Sequence, residues 1–305
     1  MTEYTKGIEI DPNYAGAYIN RSATYEYLGK YDLELADANK AIELDPSQNQ
    51  AYLDRGNAYY HEEKYDLALA AYTKVIQLDP IYSNGYRSRG LVYEAEGNYD
   101  SAITEYTNAI KLEPNNKDAY LNRGYVYFAQ GKFDLAISDY TKAIEIDPQV
   151  KETYRDRGLA YAANGKYDLA ITDYTKAIEM DPNYEDAYAS RADAYTSQGR
   201  IDSALADIAK TMQIDPNNEV AYRLRGYILY KEQNYKDALS DFQKAVSLNQ
   251  QDAFAYCMLG TTYTHLGDFA SAIKYLGQGA KLDTQRQFPW CQADLEAAQR
   301  GTPSP

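Results

Sequence analysis

The residues that could do chemistry in this chain are either few or repeated. Its 305 residues include two cysteines and two histidines, and His61 and His265 stand far apart in the sequence. The 45 acidic residues recur at a regular spacing. That spacing suits a solvated surface better than a catalytic pair, because an active site needs residues that occur once. The sequence contains no glycine-rich phosphate loop, zinc-ligand spacing or nucleophile motif. We therefore expect no enzyme activity, no metal site and no cofactor.

The strongest pattern is a period of 34 residues, which runs through proline from Pro12 to Pro216 and through tyrosine from Tyr18 to Tyr256. A fixed period of this length is typical of one supersecondary unit stacked on copies of itself. We number each repeat from the third residue after its proline. The repeats then begin at Ala15, Asn49, Ser83, Lys117, Lys151, Glu185, Glu219 and Ala253. Position 4 is always Tyr, position 8 is always small, position 20 is Ala except at Glu34, and position 24 is mostly aromatic.

This spacing predicts two helices in each repeat. Positions 4, 8 and 11 fall on one helical stripe, and positions 20, 24, 27 and 28 fall on another. Glycine at position 15 suits a helix end that needs positive φ. Asp-Pro at positions 31 and 32 stops the second helix, because the residue before proline avoids the α region. Each repeat is therefore expected to be two antiparallel helices of about thirteen residues.

The segment from 117 to 148 carries the whole pattern and closely resembles the tetratricopeptide repeat. The resemblance covers roughly residues 2–284. It implies an all-α, right-handed superhelical solenoid of antiparallel helix pairs. It also implies a concave groove, lined by the first helix of each repeat, that binds peptide segments of partner proteins.

The repeat register predicts the boundaries along the chain. Residues 1–14 are expected to form the second helix of a truncated repeat, and residues 15–284 to form eight repeats. A capping helix is expected in 285–300 and a frayed tail in 301–305. We favour a fragment of a longer array over a native half repeat, because a lone second helix exposes its apolar edge at Tyr4 and Ile8.

Cys257 and Cys291 fall at position 5 of successive first helices. Packed helices lie about 8–10 Å apart, whereas a disulfide needs Cα atoms within about 7 Å of each other. We therefore expect two free thiols, with a disulfide as the alternative.

Arginine occupies position 7 in seven repeats, and position 23 is acidic in six of these. In the eighth repeat both positions change together, to Leu259 and Tyr275. Since the two positions lie on facing sides of the helix pair, we expect an ion pair within each repeat. The alternative is a ladder of arginines that binds a ligand.

Positions 2, 5, 6, 9, 12 and 13 cluster on the opposite side of each first helix and vary between repeats, which is typical of a surface whose residues are set by a ligand. The alternative is a solvated face without a ligand. The candidate peptide-binding residues on this face are Asn20, Leu53, Asp54, Asn57, Tyr60, Arg87, Leu91, Leu121, Asn122, Tyr125, Phe128, Arg155, Asp156, Leu159 and Arg223.

These residues predict a mixed groove. The leucines and rings could seat anchor side chains, and Arg87, Arg155 and Arg223 could take carboxylates unless acids such as Asp156 already neutralise them. An asparagine ladder is only partly present. No three successive repeats carry the lysine, asparagine and arginine set that the family uses to clamp chaperone tails.

The net charge of −14 disfavours nucleic acid, and no apolar run is long enough to span a membrane. The start does not resemble a signal peptide, which favours a cytoplasmic location. We expect a non-enzymatic scaffold that binds a protein or peptide partner. The alternatives are a self-assembling or spacer module, which would associate end to end through the truncated N-terminus, and a regulatory arm of a larger protein.

Overall fold

The predicted all-α fold class is confirmed. The structure, a computed structural model, describes residues 2–302, and this range contains eighteen α-helices and no strand. Helix α1 spans Thr2–Ile10. The first helices of the repeats are α2 (Ala15–Tyr27), α4 (Asn49–His61), α6 (Ser83–Ala95), α8 (Lys117–Ala129), α10 (Lys151–Ala163), α12 (Glu185–Ser197), α14 (Glu219–Lys231) and α16 (Ala253–His265).

The second helices are α3 (Tyr31–Leu44), α5 (Tyr65–Leu78), α7 (Tyr99–Leu112), α9 (Phe133–Ile146), α11 (Tyr167–Met180), α13 (Ile201–Ile214), α15 (Tyr235–Leu248) and α17 (Phe269–Leu282). The last helix, α18, spans Pro289–Gln299.

The turn between the two helices of a repeat has positive φ at position 15. Glycine meets this requirement in six repeats, for example at Gly97 with φ 73°. In two repeats Glu63 and Gln233 take the same conformation, with φ of 59° and 62°. This conformation costs a residue with a Cβ about 1–2 kcal/mol, so these two turns depend on the surrounding packing.

The small residue at position 8 makes room for the ring at position 24. A Cβ on Gly56 would lie 2.4 Å from the Tyr72 ring, and one on Gly158 would lie 2.5 Å from the Tyr174 ring. The rings of Tyr72, Tyr106 and Tyr174 are almost wholly buried. Each ring therefore packs against the backbone of the first helix, and the hydroxyls of Tyr72 and Tyr106 reach Asn57 and Glu94 on that helix.

The chain divides into two compact units, Met1–Thr153 and Tyr154–Pro305. In the first unit the first helices of neighbouring repeats touch, α2 with α4, α4 with α6, and α6 with α8. In the second unit α12 touches α14, α14 touches α16, and α16 touches α18. Helices α2, α4, α6 and α8 therefore form one continuous surface in the first unit, and α12, α14, α16 and α18 form another in the second.

The expectation of free thiols is wrong, because Cys257 of α16 and Cys291 of α18 form a disulfide with their Cα atoms 5.4 Å apart. Helix spacings are measured between axes, whereas each Cα lies about 2.3 Å from its axis. Two Cα atoms that face each other are therefore much closer than the axes. Gly279 of α17 also leaves space, since a Cβ there would lie 2.5 Å from Cys257 Sγ.

Both ends of the described range pack on their neighbours. Helix α1 lies on α2, and Ile8 contacts the buried cluster around Tyr18, although Tyr4 is exposed as expected. At the other end Thr302 N–H donates to the Ala297 carbonyl at 3.1 Å. Gly301 and Thr302 are thus bonded to α18, unlike the frayed tail expected there, and residues 303–305 of that tail lie outside the described residues.

Candidate functional site

We use the term first-helix face for the side chains at positions 2, 5, 6, 9, 12 and 13 of the first helices in either unit. The 34-residue period puts the same six positions on every first helix. Because the first helices touch within each unit, a side chain on this face can pack against the next repeat as well as face solvent. Some predicted candidates pack against the next repeat, and others face solvent.

Three of the four candidate leucines contribute to packing between repeats. Leu53 is only 7% exposed and belongs to the core cluster of Tyr52 and Tyr72. Leu91 packs against Tyr106 and Val126, and in the second unit Leu159 packs against Tyr174. These leucines therefore do not form open pockets for anchor side chains.

Four other candidates on the first-unit face are at least partly accessible. Tyr125 is 55% exposed, and Leu121 is half-buried. Phe128 is half-buried against the Phe133 ring, with centroids 5.6 Å apart. Asn20 is exposed. Tyr125 is therefore the largest open apolar surface among the predicted candidates.

Asn57 belongs to a hydrogen-bonded chain across two repeats. Its Nδ2 donates to Glu26 Oε1 at 3.0 Å, and its Oδ1 accepts from the Tyr72 hydroxyl at 2.8 Å. Tyr72 is the ring that crosses above Gly56, and burial raises the pKa of its phenol. The amide expected to hold a peptide backbone is thus already engaged within the chain.

Asn122 lies in a second chain of the same kind. The Tyr106 hydroxyl donates to Glu94 Oε2 at 2.6 Å, and Asn122 Nδ2 donates weakly to that hydroxyl at 3.4 Å. Burial raises the pKa of Glu94, although the bond from Tyr106 opposes the change. Tyr60 is half-buried beside Tyr65, with ring centroids 6.0 Å apart, and burial followed by the charge of Glu94 raises its pKa.

Two carboxyls between the first and second repeats are buried without full hydrogen bonding. Asp54 Oδ1 accepts a hydrogen bond from Gln50 Nε2 at 2.7 Å, but Asp54 Oδ2 has no hydrogen-bond partner within residues 2–302. Glu34 is fully buried, and neither of its carboxyl oxygens has a hydrogen-bond partner in the part of the chain that the structure describes. Burial raises the pKa of Asp54 to about 6 and that of Glu34 to about 9, and the nearby charge of Glu26 adds to both.

The three arginines at position 5 differ in their partners. Arg155 pairs with Asp156 at 2.9 Å and with Asp186 at 3.5 Å. Arg223 pairs with Asp252 at 3.3 Å. Arg87 lies within ion-pair distance of no carboxylate in the described part of the chain, and its Nε has no hydrogen-bond partner. Arg87 is therefore the position 5 arginine whose charge stays available.

The position 7 arginines are not a binding ladder. Each of six forms an ion pair with the acid at position 23 of its own repeat, at N···O distances of 2.6–2.9 Å. These pairs are Arg21–Asp37, Arg89–Glu105, Arg123–Asp139, Arg157–Asp173, Arg191–Asp207 and Arg225–Asp241. The predicted ion pair is confirmed, and the seventh arginine, Arg55, lies over the Tyr52 ring at 4.9 Å.

The second unit also has a cavity that the sequence reasoning missed. It encloses about 320 Å³ between α14, α16 and α18. Its lining includes Tyr227, Tyr230, Phe254, Trp290 and Asp294. The sequence feature that could have indicated this cavity is the loss of the repeat pattern near the C-terminus, where the chain has its single tryptophan, Trp290.

No group of three or more His, Cys, Asp or Glu side chains in residues 2–302 is arranged to hold a metal ion. Among the described helices, none combines the length and the apolar character needed to cross a membrane.

Comparisons with protein families give one consistent result. Family models described as tetratricopeptide repeat or TPR repeat match residues 3–36, 50–82, 87–150, 158–199, 185–218, 220–252 and 242–274. A comparison with curated protein sequences gave no match.

Solved structures with the same arrangement include a crystal structure of MamA, at 27% identity and TM-score 0.51, covering 53% of this chain and 94% of that one. A tetratricopeptide repeat protein from Parabacteroides merdae matches at 22% identity and TM-score 0.61, covering 81% of this chain and 98% of that one. The APC/C hetero-tetramer Cut9–Hcn1 matches at 15% identity and TM-score 0.66, covering 97% of this chain and 58% of that one. The last two show the fold alone.

Proposed function

Because the chain belongs to the tetratricopeptide repeat family, we propose that it is a non-enzymatic scaffold whose first-helix face binds a peptide segment of a partner protein. The side chains on this face vary between repeats, whereas the stacking positions do not. Such variation is expected where a ligand sets the residue type. Binding of an extended segment would use several successive first helices at once, which gives specificity without any deep pocket.

The observation that carries this proposal is the difference between Arg87 and the other two arginines at position 5. Arg155 and Arg223 are neutralised by neighbouring aspartates. Arg87 has no such partner among the described residues, although buried or half-buried charges are normally paired. A carboxylate of the bound segment would complete the Arg87 site, and the exposed Tyr125 ring in the same unit would supply apolar contact.

The test is a pull-down with the immobilised full chain, followed by peptide mapping of the captured partner and an affinity measurement with the mapped peptide. Arg87→Glu should weaken that peptide by about tenfold or more, because it sets a repelling charge against the ligand carboxylate. Lys142→Glu makes the same charge reversal on a second helix, where Lys142 forms only an exposed pair with Glu145, and should leave the affinity unchanged. If Lys142→Glu weakens binding and Arg87→Glu does not, the ligand lies on the second helices.

A second candidate function, self-association, is favoured by one observation at the N-terminal end. Ile10 is 84% exposed and Tyr27 is 90% exposed. Large apolar groups exposed this fully at one end could stack on another copy. Light scattering over a range of concentrations tests this: mass that grows with concentration and is abolished by Ile10→Lys supports assembly, whereas a constant monomer mass excludes it.

A further inference from the structure

The cavity of the second unit has walls of aromatic rings and a carboxylate among its lining groups. The Phe254 ring lies edge-on to the Trp290 ring at 6.1 Å and tilted to the Tyr227 ring at 5.9 Å. Tyr230 completes the wall, and its hydroxyl is fixed by His265 Nε2 at 2.8 Å. Aromatic faces carry negative electrostatic potential, so rings that surround a space favour a cation there.

Asp294 is the acidic group of this cavity. It is only 7% exposed, and its Oδ2 accepts a hydrogen bond from the buried Thr261 hydroxyl at 2.6 Å. No arginine or lysine in the described residues lies within ion-pair distance of it. Buried carboxylates without a cation are rare in folded proteins, since their desolvation is not offset. A cation supplied by a ligand would offset the desolvation cost of Asp294.

Two cations of the chain lie near the cavity and are both engaged. Lys231 Nζ sits over the Tyr227 ring, 5.5 Å from its centroid. Arg223 pairs with Asp252 and lies over the Phe254 ring at 5.7 Å. Lys231 lines the cavity, so its charge opposes the entry of a second cation without reaching Asp294.

We propose that this cavity is a subsite for an arginine side chain of the bound peptide, with the guanidinium stacked between the rings and hydrogen-bonded to Asp294. Arginine fits these walls better than lysine, because its planar guanidinium both stacks on aromatic faces and meets a carboxylate with two donors. The proposal rests on the proposed function, since it names the chemistry of one ligand residue on the first-helix face of the second unit.

The test uses small probes and requires no partner protein. Trp290 is the only tryptophan of the chain, so its single indole N–H signal in a ¹⁵N spectrum reports directly on the cavity. N-acetyl-arginine methylamide should shift this signal saturably, with a Kd of about 1–10 mM for so small a ligand. N-acetyl-citrulline methylamide has nearly the same shape without the charge and should bind about tenfold more weakly.

Three variants of the full chain refine the test. Asp294→Asn should reduce the preference for the arginine probe over the citrulline probe to the part that the aromatic rings supply. Glu296→Gln removes the same charge from an exposed position of the same helix and should preserve the preference. Lys231→Met should tighten the arginine probe, because it removes the competing charge.

Equal binding of the two probes to the unchanged protein, or the absence of any saturable shift, would overturn the arginine subsite, and this comparison does not depend on any variant folding. Tighter binding of N-acetyl-leucine methylamide than of the arginine probe would overturn it in favour of an apolar anchor. If Arg87→Glu weakens binding of the captured partner peptide and Asp294→Asn does not, the scaffold function is supported and the arginine subsite is wrong. If the cavity prefers the arginine probe but the chain captures no partner, the arginine site is supported and the scaffold function is not.

Discussion

Arg123 and Asp139 face each other across the two helices of the fourth repeat and form two parallel hydrogen bonds, Nε to Oδ2 and Nη2 to Oδ1, both at 2.8 Å. Arg123 Nη1 also donates to Thr107 Oγ1 of the preceding repeat at 2.9 Å. The guanidinium lies between the rings of Tyr120 and Tyr127, 5.8 Å from each centroid. One arginine therefore joins both helices of its repeat to the repeat before it.

Replacing Arg123 alone should destabilise the protein. Asp139 is only 5% exposed, and Arg123→Ala leaves it without its cation. We expect Arg123→Ala to lower the free energy of unfolding by about 3–5 kcal/mol, the range seen when one partner of a buried pair is lost. The double change Arg123→Leu with Asp139→Tyr copies the pair Leu259 and Tyr275 of the eighth repeat and should recover most of the loss. Urea unfolding measures both, and a loss below about 1 kcal/mol for Arg123→Ala would indicate an ordinary exposed pair.

The second repeat allows the opposite experiment. Its position 7 arginine, Arg55, faces Ala71 where six other repeats have an acid, and Arg55 Nε has no hydrogen-bond partner among the described residues. Ala71→Asp should therefore stabilise the protein by about 1 kcal/mol, because it supplies a charge-assisted bond to a group now unsatisfied. Ala71→Asn adds the same volume without the charge and should gain less. If both variants unfold at lower urea than the unchanged protein, the second repeat has no room for the pair.

The helix pairs were predictable because each of their signals recurs. The glycine at position 15 and the proline at position 32 mark the same ends in one repeat after another, so a single exception such as Glu63 does not obscure them. The ion pair was predictable for the same reason, since Leu259 and Tyr275 change together.

The first-helix face was less predictable, because a helical wheel shows one helix and not its neighbours. Leu53 and Leu91 lie on the predicted side of their helices, yet the next repeat covers them. The hydroxyls of Tyr72 and Tyr106 reach this side from the second helices, which no pattern within a first helix reveals. The cavity beside Trp290 depends on three helices at the end of the array, where the repeat pattern is lost.

The pH dependence of stability should be dominated by Glu34 in the first repeat. Its folded-state pKa, about 9, is above the ordinary value of 4.5, so the folded chain keeps a proton that the unfolded chain releases. Its contribution to stability is therefore complete below about pH 4.5 and is lost as the pH rises through about 9. The contribution of Asp54 to stability also falls as the pH rises, because its folded-state pKa is raised from 3.8 to about 6. The charges that act on Glu34 come from Glu26, Asp54 and Glu62.

Glu34→Gln should accordingly stabilise the protein at pH 8 by about 1–5 kcal/mol, because a neutral amide needs no protonation on folding, and should have little effect near pH 4.5. Glu43→Gln, an exposed change in the same helix, should not alter the pH profile. Hydrogen exchange at pH 8 should also show the first repeat as the least protected of the full repeats. An unchanged pH profile in Glu34→Gln, or first-repeat amides as slow as those of the fourth repeat, would contradict this account.

The disulfide between Cys257 and Cys291 should hold the last helix on the array. It closes a loop with a sequence separation of 34 residues, for which the chain-entropy relation gives about 3–4 kcal/mol of stabilisation. Reduction, or the double change Cys257→Ser with Cys291→Ser, should lower the free energy of unfolding by up to about this amount. In hydrogen exchange the loss of protection should appear first in α18.

The double serine variant provides the control, because a reductant should not affect it further. Since disulfides are rare in reducing compartments, retention of the bond in protein taken from cells under acid quench would argue against the cytoplasmic location expected from the sequence. Equal stability of the oxidised and reduced chains would show that α18 is held by the packing of Trp290 and Ala298 alone.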